Sequence, residues 1–322
     1  MVLMGVLFGA HVAVFIFNPA FSYGIQEEKE IRIEEGDSLK VVSDLLAQKH
    51  LISNPIYFRI LGKLTSNDLK VKPGVYALHT AMRPLDILGQ IVSGGILHAE
   101  VILREGLTSK AIARILDEKK IVPAQQFLKA IRDPVLLSDM EIEAESFEGY
   151  LFPSTYRFAR ASTPNEIIEQ MVHEFNARFP ASWERQSDYL GMTRHQVVTL
   201  ASIINKEISS DKEGPIVSAV FHNRLKIGMR LQSDPTVIFG IKNFNGNLTR
   251  EDLRTYTPYN TYRINGLPPG PISNPGEVAL ESALFPEDVD YLYFVSMNNG
   301  THRFSKTLEE HNLAVNKFQR GL

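Results

Sequence analysis

The sequence predicts an α+β protein in three parts: a single N-terminal apolar helix over residues 1–24, a small α/β module over 25–100, and a mixed α+β domain over 101–322. Three observations predict it. Met1 to Phe17 carries no Asp, Glu, Lys or Arg side chain. A strand–turn–helix pattern occurs twice, 70 residues apart. Beyond it, helical apolar stripes alternate with short extended pieces and Pro/Gly-rich loops. At 322 residues and a formal net charge of −3, the chain is long enough for two or three domains with their own cores. It has no basic run that would favour nucleic acid. It has no cysteine, which excludes disulfides, thiol catalysis and a lipid anchor on cysteine.

The first segment reads MVLMGVLFGAHVAVFIF, with a single His11, and stays moderately apolar to Tyr23. About 20 apolar residues span a bilayer, so an uncleaved single-pass membrane anchor is expected. A cleaved signal peptide is the competing reading. It lacks a positive n-region and has a poor cleavage site near Ala20–Ser22. A buried core helix is the third reading.

The repeat pairs IRIEEGDSLKVVSDLLAQKHLI, from Ile31, with VILREGLTSKAIARILDEKKIV, from Val101. Glu35-Gly36 falls on Glu105-Gly106, Lys40 on Lys110 and Leu46 on Leu116, so residues 101–127 repeat 31–57. Each copy reads as a strand, a Gly turn, a Ser or Thr at a helix start, and a helix. Neither copy is large enough to bury its apolar face alone. Between them, Val71 to Leu78 suggests a strand pair around Pro73-Gly74. Pro84 then opens a helix with Leu85, Ile87, Leu88 and Ile91 inward.

In the third part, Phe127 to Ile142 is helical but interrupted at Pro134. EGYLFPSTY, Glu148 to Tyr156, is kept extended by Pro153. Glu148 is either a second carboxylate or a turn-stabilising acceptor. Asn165 to Phe179 is an amphipathic helix with Pro164 in its first turn, and Trp183 packs this helix pair. Thr193 with Gln196 is a capping box, and Val197, Leu200, Ile204 and Ile208 form the stripe behind it. Glu207 sits at the edge of that stripe, near the helix end. A half-buried carboxyl resists ionisation, which suits a general acid. The alternative is a solvated residue paired with Lys206 or Lys212.

Ser210 or Asp211 caps the next helix, Pro215 lies in its first turn and Gly228 ends it. Asn223 and Arg224 face either cleft or solvent. In LQSDPTVIFG, Asp234 before Pro235 is an N-cap signal, so capping leads catalysis as its role. Gln232 and Ser233 are placed to hydrogen-bond a ligand amide. The loop YNTYRINGLPPGPISNPG carries Tyr259, Asn260 and Tyr262, which suit a sugar or plug a connector. Pro275 opens a helix to Leu284. Tyr291–Val295 and Thr301–Ser305 form a hairpin, and Thr307 with Glu310 caps the closing helix. There is no HExxH, G-x-S-x-G, Walker or Rossmann pattern. His302 and His311 are read as structural.

ASIINKE, FHNRL and GMRLQSDPTVIFG, preceded by EGYLFPSTY and followed by YNTYRINGLPPGPISNPG, YLYFV and HRFSKTLEEHN, resemble the endolytic murein transglycosylases of the YceG-like family. The resemblance covers most of the last 180 or so residues, in the family's order. It implies a lyase that cuts the MurNAc–GlcNAc β-1,4 bond of nascent peptidoglycan strands internally. The products carry 1,6-anhydro-MurNAc ends, and strand length is limited. Glu207 matches the catalytic glutamate. Glu148, Gln232, Ser233, Asp234, Asn260 and Tyr262 are the substrate-binding candidates, and no cofactor or metal is called for. Two positions depart from the family pattern: Asn205 stands where a second acid is usual, and Ser154 where Asp is usual. The N-terminal region resembles a LysM-like module, which binds glycan or serves as a spacer. The implied setting is the inner membrane, single-pass, with the bulk periplasmic. The implied partners are glycan strands, the membrane through the N-terminal helix, and peptidoglycan synthases, with no nucleic acid. A muramidase using Asp234 or Glu148 as second carboxylate, or a non-catalytic tethered glycan-binding scaffold, are the alternatives.

Overall fold

The computed structural model describes residues 2–19, 27–94, 97–160 and 162–321. Met1 and residues 20–24 of the expected anchor, including the cleavage site considered near Ala20–Ser22, lie outside the described residues. Contacts divide the chain into two units: 1–101 with 118–122 and 157–163, and 102–117 with 123–156 and 164–322. The architecture is mixed α+β, with helices predominating and small two-stranded sheets.

The order begins α1 (Val2–Phe17), β1 (Glu28–Ile33), α2 (Leu39–Gln48), α3 (Pro55–Leu64), β2 (Gly74–His79), α4 (Pro84–Ser93) and β3 (His98–Ile102). It continues with α5 (Ser109–Glu118), α6 (Ala124–Ala130), α7 (Pro134–Asp139), β4 (Thr155–Ala159), α8 (Pro164–Arg178), α9 (Ala181–Tyr189) and α10 (Arg194–Glu207). A 3₁₀ turn, Asp211–Glu213, leads into α11 (Gly214–Lys226), α12 (Asp234–Gly240), α13 (Arg250–Arg254) and α14 (Glu277–Leu284). The chain closes with β5 (Tyr293–Ser296), β6 (His302–Ser305), α15 (Leu308–Val315) and a π-helical turn, Asn316–Arg320.

In the first unit, β1 and β2 pair antiparallel with Ile31 opposite Tyr76. The strand pair expected around Pro73-Gly74 does not form, because Gly74 opens β2 and the partner strand is β1. Ile31, Ile33, Val42, Leu46, Phe58, Leu78, Ile87 and Ile91 are buried together. Tyr76 joins them because its hydroxyl is satisfied, donating to the carbonyls of Lys72 at 2.7 Å and Ile91 at 3.2 Å. Val12 and Phe15 of α1 are buried, and Phe15 lies edge-on to Tyr57 at 5.6 Å. No helix among the described residues is long and apolar enough to cross a membrane.

Both copies of the repeat are strand–turn–helix, in step at an offset of 70. The turn glycines, Gly36 and Gly106, have φ of +87° and +74°, a region that L side chains rarely adopt. Ser38 and Thr108 accept from the N–H groups of Val41 and Ala111. The copies differ in partner, since β1 pairs with β2 and β3 with β4.

In the second unit, Pro134 splits the expected helix into α6 and α7, with Asp133 capping the latter. Tyr150, Phe175, Phe179 and Trp183 make a chain of ring contacts at 5.2, 5.8 and 5.5 Å. Trp183 thus packs the helix pair, as its position suggested. Thr193 and Gln196 form both halves of the capping box on α10. All eight residues from Val197 to Ile204 are buried, so α10 is enclosed on every side rather than along one stripe. It packs on α14, α11 and α12. β5 and β6 form the expected hairpin. α14 begins at Glu277 rather than Pro275. Thr307 caps α15, but the Glu310 carboxylate turns to the Lys306 N–H instead of closing a box.

Candidate active site

Glu207 is the last residue of α10. The buried helix carries it inward, and its place at the helix C-terminus sets it against the negative end of the peptide dipoles. Burial pushes its carboxyl above the ordinary value, and the charge of Asp234 adds to that rise. A hydrogen bond from Ser233, and the charges of His302 and Arg224, oppose it.

The Ser233 hydroxyl donates to Glu207 Oε1 at 2.5 Å. Ser233 is itself almost fully enclosed, and its N–H donates to Thr261 Oγ1 at 2.9 Å. Thr236 Oγ1 donates to the Ser233 carbonyl and lies 2.8 Å from Thr261 Oγ1. These bonds hold the Ser233 backbone in place while its hydroxyl engages Glu207 Oε1, leaving Oε2 as the oxygen that can carry a proton. The sequence placed Ser233 to meet a ligand amide; in the structure its buried hydroxyl is bonded to Glu207.

The Glu207 carboxyl opens on a cleft of about 380 Å³. Gln232, Asp234 and Tyr262 line it. Gln232 holds φ of +51° while its N–H donates to Thr261. That left-handed backbone is uncommon for a residue with a side chain. The Tyr262 hydroxyl donates to Asp234 Oδ1 at 2.7 Å. Asp234 makes no side-chain capping bond: Ser233 occupies the cap position and Asp234 is the first residue of α12. The capping role expected for Asp234 is thereby corrected. Neither Ser210 nor Asp211 caps α11, whose cap position is Glu213 at the end of the 3₁₀ turn.

The lining also holds residues that sequence reasoning left open or set aside. Arg224 is 7% exposed, with Nε donating to Leu292 and Nη1 to Leu231 carbonyls. No carboxylate pairs with it among the described residues. Tyr293, Phe294, Leu308 and His311 complete the lining. His311, read from sequence as structural, stacks on Tyr293 at 5.2 Å and lines the cleft. Behind them, Glu213 accepts from the backbone N–H of His302 and lies 2.8 Å from its Nδ1. His302 is structural, as expected. The packing of the hairpin back on α11 has no local sequence signal, so Tyr293 and Phe294 were legible only as a strand pattern.

Besides Ser233, two more substrate-binding candidates do not line the cleft. Asn260 is fully buried, and its amide donates to the carbonyls of Asp252, Leu253 and Thr255 while its Oδ1 accepts from Tyr262 N–H. Its bonding is spent on holding the loop that presents Tyr262. Glu148 accepts from the Ser109 N–H with both oxygens at 3.1 Å, at the start of α5, and from Asn274 Nδ2. The turn-stabilising alternative is the one the structure places. Asn205, the departure from the family pattern, accepts from Gly276 N–H at 2.9 Å and fixes the start of α14.

Burial pushes Glu148 up to about 7, against the opposing Ser109 hydrogen bonds and the charges of Lys110 and Arg132. Its folded value lies above the ordinary 4.5, so the folded state keeps a proton that the unfolded chain releases. Stability is greatest below that ordinary value and falls as pH rises through about 7. Glu148→Gln is expected to flatten the midpoint of thermal unfolding across this window. A variant slope equal to wild type refutes the assignment.

A model of the YceG-like family matches residues 31–317. The chain is 30% identical over 304 residues to an endolytic murein transglycosylase of Bacillus subtilis (strain 168), covering 89% of this chain and 84% of that protein. It is 26% identical over 317 residues to one of Streptococcus pneumoniae serotype 2 (strain D39), covering 88% of this chain and 57% of that longer protein. A crystal structure of a yceG-like protein from Listeria monocytogenes superposes with a TM-score of 0.60 at 34% identity, over 90% of this chain and 99% of that one.

Proposed function

The chain belongs to the YceG-like family, and from that premise we propose that it is an endolytic murein transglycosylase, a carbon–oxygen lyase acting on peptidoglycan. The observation that carries the reading is Glu207: its carboxyl is raised by burial, fixed through Oε1 by Ser233, and opens on a cleft walled by polar side chains and rings. Glu207 protonates the oxygen leaving from C1 of MurNAc, and the C1–O bond breaks. The substrate's own N-acetyl group supports the cationic C1. Glu207, now a carboxylate, takes the proton of the C6 hydroxyl as O6 closes on C1. The products are a 1,6-anhydro-MurNAc end and a free GlcNAc hydroxyl; no water is consumed. Glu207 ends protonated, ready for another turn. One carboxyl suffices, consistent with Asn205 serving α14 instead of the reaction.

Gln232, Asp234 and Tyr262 bind the strand, with Ser233 and Asn260 placing them. Cutting is internal and limits strand length, working alongside peptidoglycan synthases. Met1 to about Tyr23 anchors the protein in the inner membrane as a single pass, with the bulk periplasmic. The strand–helix–helix–strand order of β1, α2, α3 and β2 supports a LysM-like module that holds the enzyme at its glycan.

Mass spectrometry of products from uncrosslinked strands tests the reaction. Anhydro ends at internal cuts are expected. Reducing ends identify a muramidase, for which Asp234, in the same cleft as Glu207, is the second carboxylate. Binding with no product over long incubation identifies a scaffold.

A further inference from the structure

A second concavity of about 730 Å³, larger than the cleft, opens in the same unit. His195, Gln196 and Thr199 from the first half of α10 line it, with His222 and Lys226 from α11 and the Gly266–Pro269 segment. The same two helices and the same loop deliver Glu207, Arg224 and Tyr262 to the cleft.

The groove has a definite chemistry. Leu190, Met192, Leu225, Leu267 and two prolines give it an apolar floor, and its lining holds no Asp or Glu. The Lys226 ammonium and the Gln196 side-chain amide donate to nothing among the described residues, for Gln196 uses only its Oε1, accepting from Thr193. A carbonyl can only accept, so the contact of His222 Nε2 with Ala283 O puts the ring proton on Nε2 and leaves Nδ1 as an acceptor. Asn223 spends its amide on the carbonyls of Val289 and Tyr291, leaving Oδ1. His195 is locked between Tyr150 and the Pro269 carbonyl and offers only its ring face. Two donors, one of them cationic, and two acceptors thus remain over an apolar surface.

A sugar subsite is expected to supply flat carbon rings and carboxylate acceptors, and this lining has neither a Phe, Tyr or Trp nor a carboxylate. A short acidic peptide fits: its carboxylate meets Lys226, its amides meet the mixed donors and acceptors, and its methyl groups meet the floor. We propose that this groove holds the acidic peptide stem of the murein strand while the cleft holds the scissile bond. This rests on the reaction proposed above. Reach is adequate, because Tyr262 and Gly266 are four residues apart, at most about 14 Å, and an extended five-residue stem spans about 17 Å.

Uncrosslinked strands with intact stems, and the same strands stripped by an amidase, are compared as substrates. Stem removal is expected to lower wild-type kcat/KM about 10-fold, the scale of hydrogen bonds to a charged group. Lys226→Glu is expected to lose a similar factor on intact strands and to be indifferent to stripping. Equal wild-type rates on both substrates overturn the proposal, and so does a variant that keeps the wild-type dependence on stems. A second arm needs no cleavage: Glu207→Gln is titrated with a free acidic stem tetrapeptide. Binding that Lys226→Glu abolishes in that background supports the groove, and no binding at millimolar peptide overturns it. If wild type cuts neither substrate, the transglycosylase reading fails while the titration still decides the groove.

Discussion

Glu207→Gln lowers the rate of strand cleavage about 10²- to 10⁴-fold, the range for loss of a general acid, and leaves binding of uncut strands near wild type. The amide keeps the size of the carboxyl and still accepts from Ser233, so the fold and the cleft are retained. It cannot give up a proton to the leaving oxygen, nor take one from the C6 hydroxyl, so both halves of the reaction stop at once. The pH dependence follows from the same carboxyl. As an acid it must start protonated, and burial holds its titration above the ordinary range. Activity therefore falls as pH rises through that raised value. Ser233→Ala removes the bond that opposes the rise, so its alkaline limb moves to higher pH, even as looser placement lowers the maximal rate. The measurements are single-turnover cleavage of uncrosslinked strands across pH, and strand binding by the Gln variant. Near wild-type cleavage by purified Glu207→Gln would falsify the assignment.

The sequence carries the local physics of this site and little of its assembly. The capping box at Thr193 and Gln196, the end of α10 at Glu207 and the turn glycines of the repeat are set by residues a few positions apart, and all were legible. Asp234 misled because the Asp-Pro pair marks a helix start well but does not say which residue caps it. Ser233 takes the cap position, and Asp234 turns to Tyr262 instead. Arg224 and His311 were legible only as a polar residue on an apolar helix and a histidine in a closing helix. Their role comes from the hairpin of β5 and β6 lying against α11, a contact between segments some 70 residues apart in sequence. Asn260 shows the limit from the other side: an amide in a loop suits a sugar equally well as three backbone carbonyls, and only burial decides between them.

The largest stability loss is expected at Asn274, in the SNPG segment. Its Oδ1 accepts from the N–H groups of Gly149 and Leu151 at 2.9 and 3.0 Å. Its Nδ2 donates to the carbonyl of Leu107 at 2.9 Å and to Glu148. Its own backbone exchanges both hydrogen bonds with the turn at Gly106 and Leu107. One side chain thus ties the second copy of the repeat to the EGYLF segment and to the loop before α14. Asn274→Ala leaves two buried N–H groups without acceptors at about 1–3 kcal/mol each. With the donor side also lost, about 3–5 kcal/mol of stability is expected to go. Gly149 offers no slack, since it holds φ of +92° and a Cβ there would press on Pro271 and come within 2.9 Å of Val198. Asn274→Asp separates shape from bonding: it keeps the acceptor for Gly149 and Leu151 but sets a second carboxyl beside Glu148. It is therefore expected to be closer to wild type at low pH and to lose stability as pH rises through the Glu148 transition. Urea unfolding of the full chain measures both variants. An Ala variant within about 1 kcal/mol of wild type means that water or a shifted backbone replaces the lost acceptor, and that the tie is not structural.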